Sequence, residues 1–129
     1  MPARLLPAVL LSLSMLSLLV LVSAKPAPAA EAPLEQALAA LFQCTVVLKG
    51  SGTVLAAPDE VPVINPSGNA RLATAGTGDV LAGMIGAQLA AGKSTFQAAC
   101  DAVYQHGLLA DKWPEDQPLT AGLLSRSLS

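Results

Sequence analysis

Apolar residues along the chain follow two kinds of spacing, which separate predicted helices from predicted strands. The run LEQALAALF at residues 34–42 combines strong helix formers with apolar residues at helical spacing, and it predicts a helix. Three short apolar runs at residues 45–48, 53–57 and 61–64 predict strands. Because Pro62 cannot donate a ladder hydrogen bond, we expect the third strand at an edge of the sheet.

Three helices are predicted in the C-terminal half of the chain, over residues 79–91, 95–110 and 121–128. Gly92 suits the C-terminal cap of the first helix, and Ser94 with Gln97 forms a capping box for the second. Thr120 is suited to cap the third. Strands followed by helices, with glycine-rich turns between them, indicate an α/β fold. This short set of elements fits part of an α/β layer better than a complete two-layer domain.

The composition argues against some functions. The net charge of the 129 residues is −2, so the chain lacks the basic surface with which proteins bind nucleic acid. Aromatic residues make up 3% of the chain, which leaves no platform for stacking bases. Cys44 and Cys100 lack metal-ligand spacing, and we expect two small buried side chains rather than a disulfide.

The N-terminal 33 residues allow three interpretations. A basic start at Arg4, an uncharged apolar run over residues 5–22 and the small residues that follow are typical of a secretory signal. The run also approaches the length of a membrane span. Alternatively, residues 18–22 form a buried parallel strand of a larger α/β domain. The local pattern favours export, with residues 25–33 as a Pro/Ala linker.

The stretch AGTGDVLAGMIGAQLAAG begins with a motif that suggests anion binding. In Gly76-Thr77-Gly78-Asp79 the glycines permit a turn whose amide groups point into one concavity. The helix that follows adds unpaired N–H groups and the positive end of its dipole, which suits a phosphate or a developing oxyanion. Asp79 could then accept a proton from a hydroxyl. Taken alone, the four residues are better explained as an ordinary Asp cap after a glycine turn.

Two neighbouring loops change that balance. Residues 65–69 form a polar, glycine-containing loop just upstream of the motif. Lys49 in the turn KGSGT could hold a phosphate as a point charge, although a solvated lysine in a hairpin turn explains it as well. Gly83 and Gly86 each cost a helix about 1 kcal/mol relative to Ala, which is tolerable where something packs closely against that face.

Other polar motifs are expected to be structural. The stretch AAGKST at residues 90–95 lacks the upstream glycine of a P-loop and follows a helix, so it is predicted to be a turn between helices. His106 has no acidic or cysteine partner at useful spacing and is predicted to be a structural histidine. Trp113 is expected to pack at the end of its helix.

Three ordered stretches, VVLKGSGTVLAAPD, VPVINPSGNARLATAGTGDVLAGMIGAQLAAG and AVYQHGLLAD, resemble the ADP-dependent NAD(P)H-hydrate dehydratases. This is the YjeF C-terminal family of the ribokinase-like superfamily. The resemblance covers residues 34–129 and leaves residues 1–33 as a separate segment. It implies the C-terminal part of a three-layer α/β fold that is incomplete here, because the family's earlier βα units and its His-Pro-Gly-Glu-type loop are absent.

The resemblance also implies a reaction. The family removes the water that has added to the nicotinamide ring of NADH or NADPH, at the expense of ADP or ATP, with Mg²⁺ expected and no metal ligands assigned to the protein. By similarity, Asp79 contacts the hydrated substrate and acts as the base on its ring hydroxyl, with Asn65 on the substrate side. The residues implied to stabilise the transferring phosphoryl group are Gly76, Thr77 and Gly78. The residues implied to bind the adenine nucleotide are Lys49, Gly50, Ser51, Gly52, Thr53 and Gly78.

Three functions remain open from the sequence. The first is nicotinamide-nucleotide repair, whose substrates imply a cytoplasmic location. The second is a small-molecule kinase of the same superfamily, which would stop at the phosphorylated product. The third is an inert exported or membrane-anchored protein, which the N-terminal pattern favours. Exposed strand edges in so short a fold favour a second copy or a partner chain that completes it.

Overall fold

The computed structural model describes residues 10–12, 18–22 and 33–128, with side chains described in the last range. One antiparallel sheet follows the chain order β1 (Leu10–Ser12), β2 (Leu18–Val22), β3 (Cys44–Leu48), β4 (Val54–Ala56) and β5 (Val63–Ile64). The helices are α1 (Leu34–Phe42), α2 (Thr77–Ala90), α3 (Thr95–Asp111) and α4 (Ala121–Arg126). A short 3₁₀ turn, Ala70–Leu72, precedes α2. In the described sheet β5 lies at an edge, as Pro62 predicts.

The central strands have helices on both faces. Val47 and Leu55, which lie opposite each other in β3 and β4, belong to one buried cluster with α2 and α3. Val46 and Ala56, the next opposite pair, pack with Ala39 of α1. Because successive strand residues face opposite sides, this alternation places α1 on one face and α2 with α3 on the other. The described residues form three layers, which confirms the predicted α/β fold class.

Helix ends follow the local signals of the sequence. The Ser94 hydroxyl accepts from the Gln97 amide and caps α3, as predicted. The Gln97 side chain donates from Nε2 to the Asp101 carboxylate, one turn further along α3, at 2.8 Å. The Thr120 hydroxyl accepts from the Leu123 amide and caps α4.

The direction of β2 corrects one prediction. Residues 18–22 do form a strand beside β3, but the pairing is antiparallel, with Val22 opposite Cys44, and not parallel. An apolar run indicates burial and carries no signal for the direction of the neighbouring strand. The predicted secretory signal and linker fall mostly on residues outside the described ranges. Among the described residues, no helix combines the length and the apolar character that crossing a membrane requires.

Several structural predictions are confirmed. Cys44 is a buried free thiol as predicted, whereas Cys100 is a free thiol that is only partly buried. Lys93 lies in the turn between α2 and α3, where its ammonium group pairs with the Asp101 carboxylate at 2.6 Å. Trp113 packs against a small apolar cluster at the end of α3. None of these residues contributes to the cleft described next.

Candidate functional site

The glycine-rich motif forms the start of α2. Gly76 is its N-cap with a φ of 85°, a left-handed conformation that glycine adopts readily. The Asp79 and Val80 amide groups donate to the Gly76 carbonyl. In the part of the chain that the structure describes, the amide groups of Gly76 and Gly78 have no protein acceptor. Free amide groups at a helix N-terminus attract anions, as the motif predicts.

The Thr77 side chain points away from this anion site. It is buried, and its hydroxyl oxygen lies 2.6 Å from the Leu72 carbonyl oxygen and 2.8 Å from that of Thr74. The Thr77 hydroxyl therefore holds the preceding loop against α2. The Thr77 amide group is also engaged, because it donates to the Thr74 carbonyl at 3.3 Å.

Lys49 brings its ammonium group to the same turn of α2. Its Nζ atom occupies the space where a Cβ atom on residue 78 would stand, so Gly78 leaves room for it. Burial lowers the pKa of Lys49, and the carboxylate of Asp79, which is exposed, partly offsets that shift. A cation, free amide groups and a carboxylate therefore meet at one turn.

A cleft of about 520 Å³ opens beside this turn. The whole turn predicted to bind the nucleotide lines this cleft, namely Lys49, Gly50, Ser51, Gly52 and Thr53. Asn65 and the loop that follows it form another part of the lining, and Thr77, His106 and Gly107 complete the side formed by α2 and α3. Gly76, Gly78 and Asp79 lie next to the lining residues rather than among them.

The polar loop after β5 is held by its own hydrogen bonds and by α3. Asn65 is buried, its Nδ2 donates to the Ser67 carbonyl at 2.8 Å, and its Oδ1 accepts from the Ser67 hydroxyl at 3.0 Å. The Asp111 carboxylate accepts from the Gly68 amide at 2.8 Å and from Asn69 Nδ2 at 3.0 Å. These bonds hold the Asn65 side chain against Ser67 in the wall of the cleft. Asp111 therefore holds this loop in place, which the sequence analysis did not predict.

His106 lines the cleft from α3. It is 7% exposed, and its Nε2 lies 2.9 Å from the Thr77 carbonyl oxygen. Because a carbonyl oxygen can only accept, Nε2 carries the hydrogen. Burial lowers the pKa of His106, the bond to Thr77 opposes this shift, and the charge of Lys49 adds to it. The burial of His106 and its bond to the main chain agree with the predicted structural histidine, but its place beside the cleft was not predicted.

The three layers define an α/β protein, and its candidate anion site is the turn beside the cleft, where free amide groups and the ammonium group of Lys49 come together. Comparison with known families identifies it further. The model of the NAD(P)H-hydrate dehydratase family matches residues 16–129, so the chain belongs to this family. The resemblance seen in the sequence is confirmed, and the match begins within the N-terminal 33 residues.

Individual relatives agree with this assignment. The chain is 50% identical over 90 residues to the ADP-dependent (S)-NAD(P)H-hydrate dehydratase of Neisseria meningitidis serogroup B, over 70% of this chain and 30% of that protein. It is 43% identical over 91 residues to the enzyme of that name from Bacillus subtilis, over 70% of this chain and 33% of that protein.

A solved structure extends the comparison to the fold. It is the crystal structure of ADP/ATP-dependent NAD(P)H-hydrate dehydratase from Bacillus subtilis, co-crystallized with ATP/Mg²⁺. The TM-score is 0.63 at 41% identity, over 73% of this chain and 35% of that chain. The chain therefore spans about a third of the length of these relatives.

Proposed function

We propose that this chain takes part in the repair of hydrated NADH and NADPH by ADP- or ATP-dependent removal of water. One observation carries the proposal. The Lys49 ammonium group lies against Gly78 and interacts electrostatically with the Asp79 carboxylate at the edge of the cleft. A cation and free amide groups stabilise a transferring phosphoryl group, and a carboxylate beside them can serve as the base. The names of the relatives support the choice of substrate.

The proposed reaction has two stages. Asp79 accepts the proton of the ring hydroxyl as the hydroxyl oxygen attacks the terminal phosphorus of the nucleotide, which leaves as AMP or ADP. The carbon–oxygen bond of the phosphorylated ring then breaks, inorganic phosphate departs, and loss of a ring proton restores the reduced nicotinamide. The amide groups of Gly76 and Gly78 stabilise the charge on the transferring phosphoryl group, and the ammonium group of Lys49 binds the phosphates of the nucleotide.

We assign the adenine nucleotide to the turn between β3 and β4, residues 49–53, and the hydrated nicotinamide to the side of the cleft shaped by Asn65. Mg²⁺ would neutralise part of the phosphate charge. Within residues 33–128, no three His, Cys, Asp or Glu side chains come together to hold a metal ion. The site therefore fits an ion that arrives with the nucleotide, since Mg²⁺ is commonly bound through substrate phosphates.

Location and assembly complete the proposal. The proposed substrates, NAD(P)H hydrates and adenine nucleotides, favour a cytoplasmic site of action. The edge strand β5 and the residues before it expose apolar side chains, with Val61 82% and Ile64 69% exposed. Exposed apolar edges favour association, so we propose a homo-oligomer or a partner chain on this edge.

The direct test is repair by the full chain and by its Asp79→Asn variant. The proteins are incubated with hydrated NADH, Mg²⁺ and ADP or ATP, and recovery of the reduced-nicotinamide absorbance is followed. The variant should lose at least about a hundredfold in turnover, because the base is removed. Its affinity for ADP should stay close to that of the wild type, because the loop and its amide groups remain.

Asp116→Asn is the matched control, because Asp116 is exposed and lies outside the cleft. Turnover by Asp79→Asn at the level of this control would contradict the role of Asp79. Accumulation of a phosphorylated nicotinamide hydrate without absorbance recovery would identify the kinase reaction instead. No nucleotide-dependent change in the substrate would favour the inert protein.

A further inference from the structure

Helix α3 contacts two segments of the cleft through adjacent residues. His106 Nε2 donates to the Thr77 carbonyl in the first turn of α2, at 2.9 Å. Gly107 lies against the polar loop after β5, where a Cβ atom on residue 107 would stand 2.6 Å from the Ser67 carbonyl carbon. The Ser67 hydroxyl oxygen, which lies within hydrogen-bond distance of Asn65 Oδ1, is also 2.8 Å from the Tyr104 carbonyl oxygen of the same helix. One face of α3 therefore holds both segments.

The bond from His106 has a geometric consequence for the neighbouring amide group. The Thr77 carbonyl and the Gly78 N–H belong to one peptide unit, which is planar and trans, so they point in opposite directions. A donor at the Thr77 oxygen therefore restrains the direction of the Gly78 N–H, together with the helical conformation of α2. That N–H has no protein acceptor among the described residues, and the Lys49 Nζ atom stands beside the Gly78 α-carbon.

We propose that His106 is a positioning residue which, through the Thr77 carbonyl, aims the Gly78 amide at a phosphate group held beside Lys49. This inference rests on the proposed function, because it takes a nucleotide phosphate as the ligand. A hydrogen bond accepted by the carbonyl also polarises the peptide unit, which strengthens the N–H as a donor. His106 itself touches neither nucleotide nor substrate in this role.

Two amide substitutions separate positioning from simple filling of space. In His106→Gln the side-chain amide nitrogen stands close to the place of Nε2 and can donate to the Thr77 carbonyl. In His106→Asn the shorter side chain places its amide nearer to Nδ1 and cannot reach. Both variants are uncharged and polar, so burial of a polar group affects them alike.

The affinity for ADP with Mg²⁺ is measured by calorimetry on the full chain, and backbone amide shifts are followed by ¹⁵N NMR. His106→Gln should keep the wild-type affinity within about twofold, whereas His106→Asn should lose about tenfold, the equivalent of one hydrogen bond. The Gly78 amide shift on ADP binding should persist in His106→Gln and shrink in His106→Asn. Equal affinities and equal Gly78 shifts in the two variants would overturn the proposal.

A measurement on the wild type keeps the proposal testable if the variants fold poorly. His106 is the single histidine of the chain, so its ring nitrogens are assigned without ambiguity. The ¹⁵N shifts should report the neutral ring with hydrogen on Nε2 at pH 7. Hydrogen on Nδ1 would overturn the positioning role.

The two proposals fail in different ways. If the wild type binds ADP with a His106-dependent Gly78 shift but does not repair hydrated NADH, positioning stands and the proposed reaction falls. If it repairs hydrated NADH and both variants bind ADP alike, the reaction stands and positioning falls. If ADP leaves the wild-type Gly78 amide unchanged, positioning falls, and the repair assay decides the reaction by itself.

Discussion

At the residue scale, four consecutive positions at the start of α2 do four different things. Gly76 makes the left-handed turn that opens the helix, and the Thr77 side chain ties the preceding loop to it. Gly78 presents a free amide group and leaves space for Lys49. Asp79 is the member whose carboxylate faces outward. The motif therefore combines two residues that build the site with two that can act on a ligand.

Replacing Lys49 with Ala should weaken nucleotide binding more than it lowers the maximal rate. The ammonium group is the cation beside Gly78, and its loss removes a charge-assisted contact worth a factor of about ten in affinity. Calorimetric titration with ADP gives the dissociation constant, and the repair assay gives the rate. Lys112→Ala, which removes an exposed lysine beyond α3, should change neither. A fall in rate at unchanged ADP affinity would contradict this assignment.

His106 should make folding stability depend on pH. Burial lowers its folded-state pKa below the unfolded value, so the unfolded chain binds more protons as the solution becomes acidic. Stability from this group is complete above about pH 6.5, the ordinary histidine value, and is lost as pH falls through the folded-state pKa. Urea unfolding at several pH values measures this slope, which His106→Gln should lack over the same window. Equal slopes in the two proteins would contradict a buried neutral ring.

The sequence indicates some site residues and hides others. Lys49 and Asp79 stand in contiguous glycine-rich stretches, so their chemistry can be inferred from neighbours in the chain. His106 and Asp111 could not be placed in this way, because each meets main-chain atoms far away in sequence, at Thr77 and Gly68 respectively. Main-chain partners leave no residue-type signal.

At the element scale, α3 is the helix on which the cleft depends. Gly107 permits the loop after β5 to approach α3 closely, since a Cβ atom there would overlap the Ser67 main chain. Gly83 in α2 differs, because a Cβ atom on it would meet nothing within 4 Å. Substitution by alanine is therefore expected to have opposite effects at these two helical glycines.

Gly107→Ala should destabilise the fold and Gly83→Ala should stabilise it. The first forces the loop away from α3 at a cost of about 1–3 kcal/mol. The second removes a helix-interior glycine from an open position and gains about 0.5–1 kcal/mol. Chemical unfolding of both variants provides the comparison. An equal gain in the two would show that the Ser67 loop does not press on α3.

Helices were easier to predict than the sheet. Residues 34–42 form α1 as predicted, and Ser94 and Thr120 cap their helices, because these signals are local in sequence. The interpretation of residues 18–22 as a parallel strand was wrong, and the 3₁₀ turn at Ala70–Leu72 was not predicted. Strand pairing and the turn are decided by contacts between distant parts of the chain, which periodicity does not encode.

At the scale of the whole molecule, the described sheet has a polar cleft at one site and an apolar edge at another. The hydrogen-bonded loop after β5 belongs to the cleft, whereas Val61, Val63 and Ile64 expose apolar side chains at and before the edge strand. An exposed apolar edge is a template for pairing with another chain.

Ile64→Lys should reduce self-association without unfolding the protein. Ile64 is 69% exposed on β5, so a lysine there is tolerated and repels a second edge. Sedimentation over a range of concentrations should show a shift towards monomer. Leu128→Lys, which charges an exposed apolar residue away from the sheet, should leave the association unchanged. Identical behaviour of the two variants would place the association elsewhere.

Because α3 contacts both the start of α2 and the loop after β5, movements of these two segments are coupled. A small rotation of α3 displaces the start of α2 through His106 and the loop after β5 through Gly107 in the same event. Substitutions that tilt this helix should therefore impair recognition of both substrates at once. The turn between β3 and β4 connects two strands of the sheet, and neither His106 nor Gly107 makes its described contact with it. That turn is the place to retune nucleotide preference while leaving the partner substrate undisturbed.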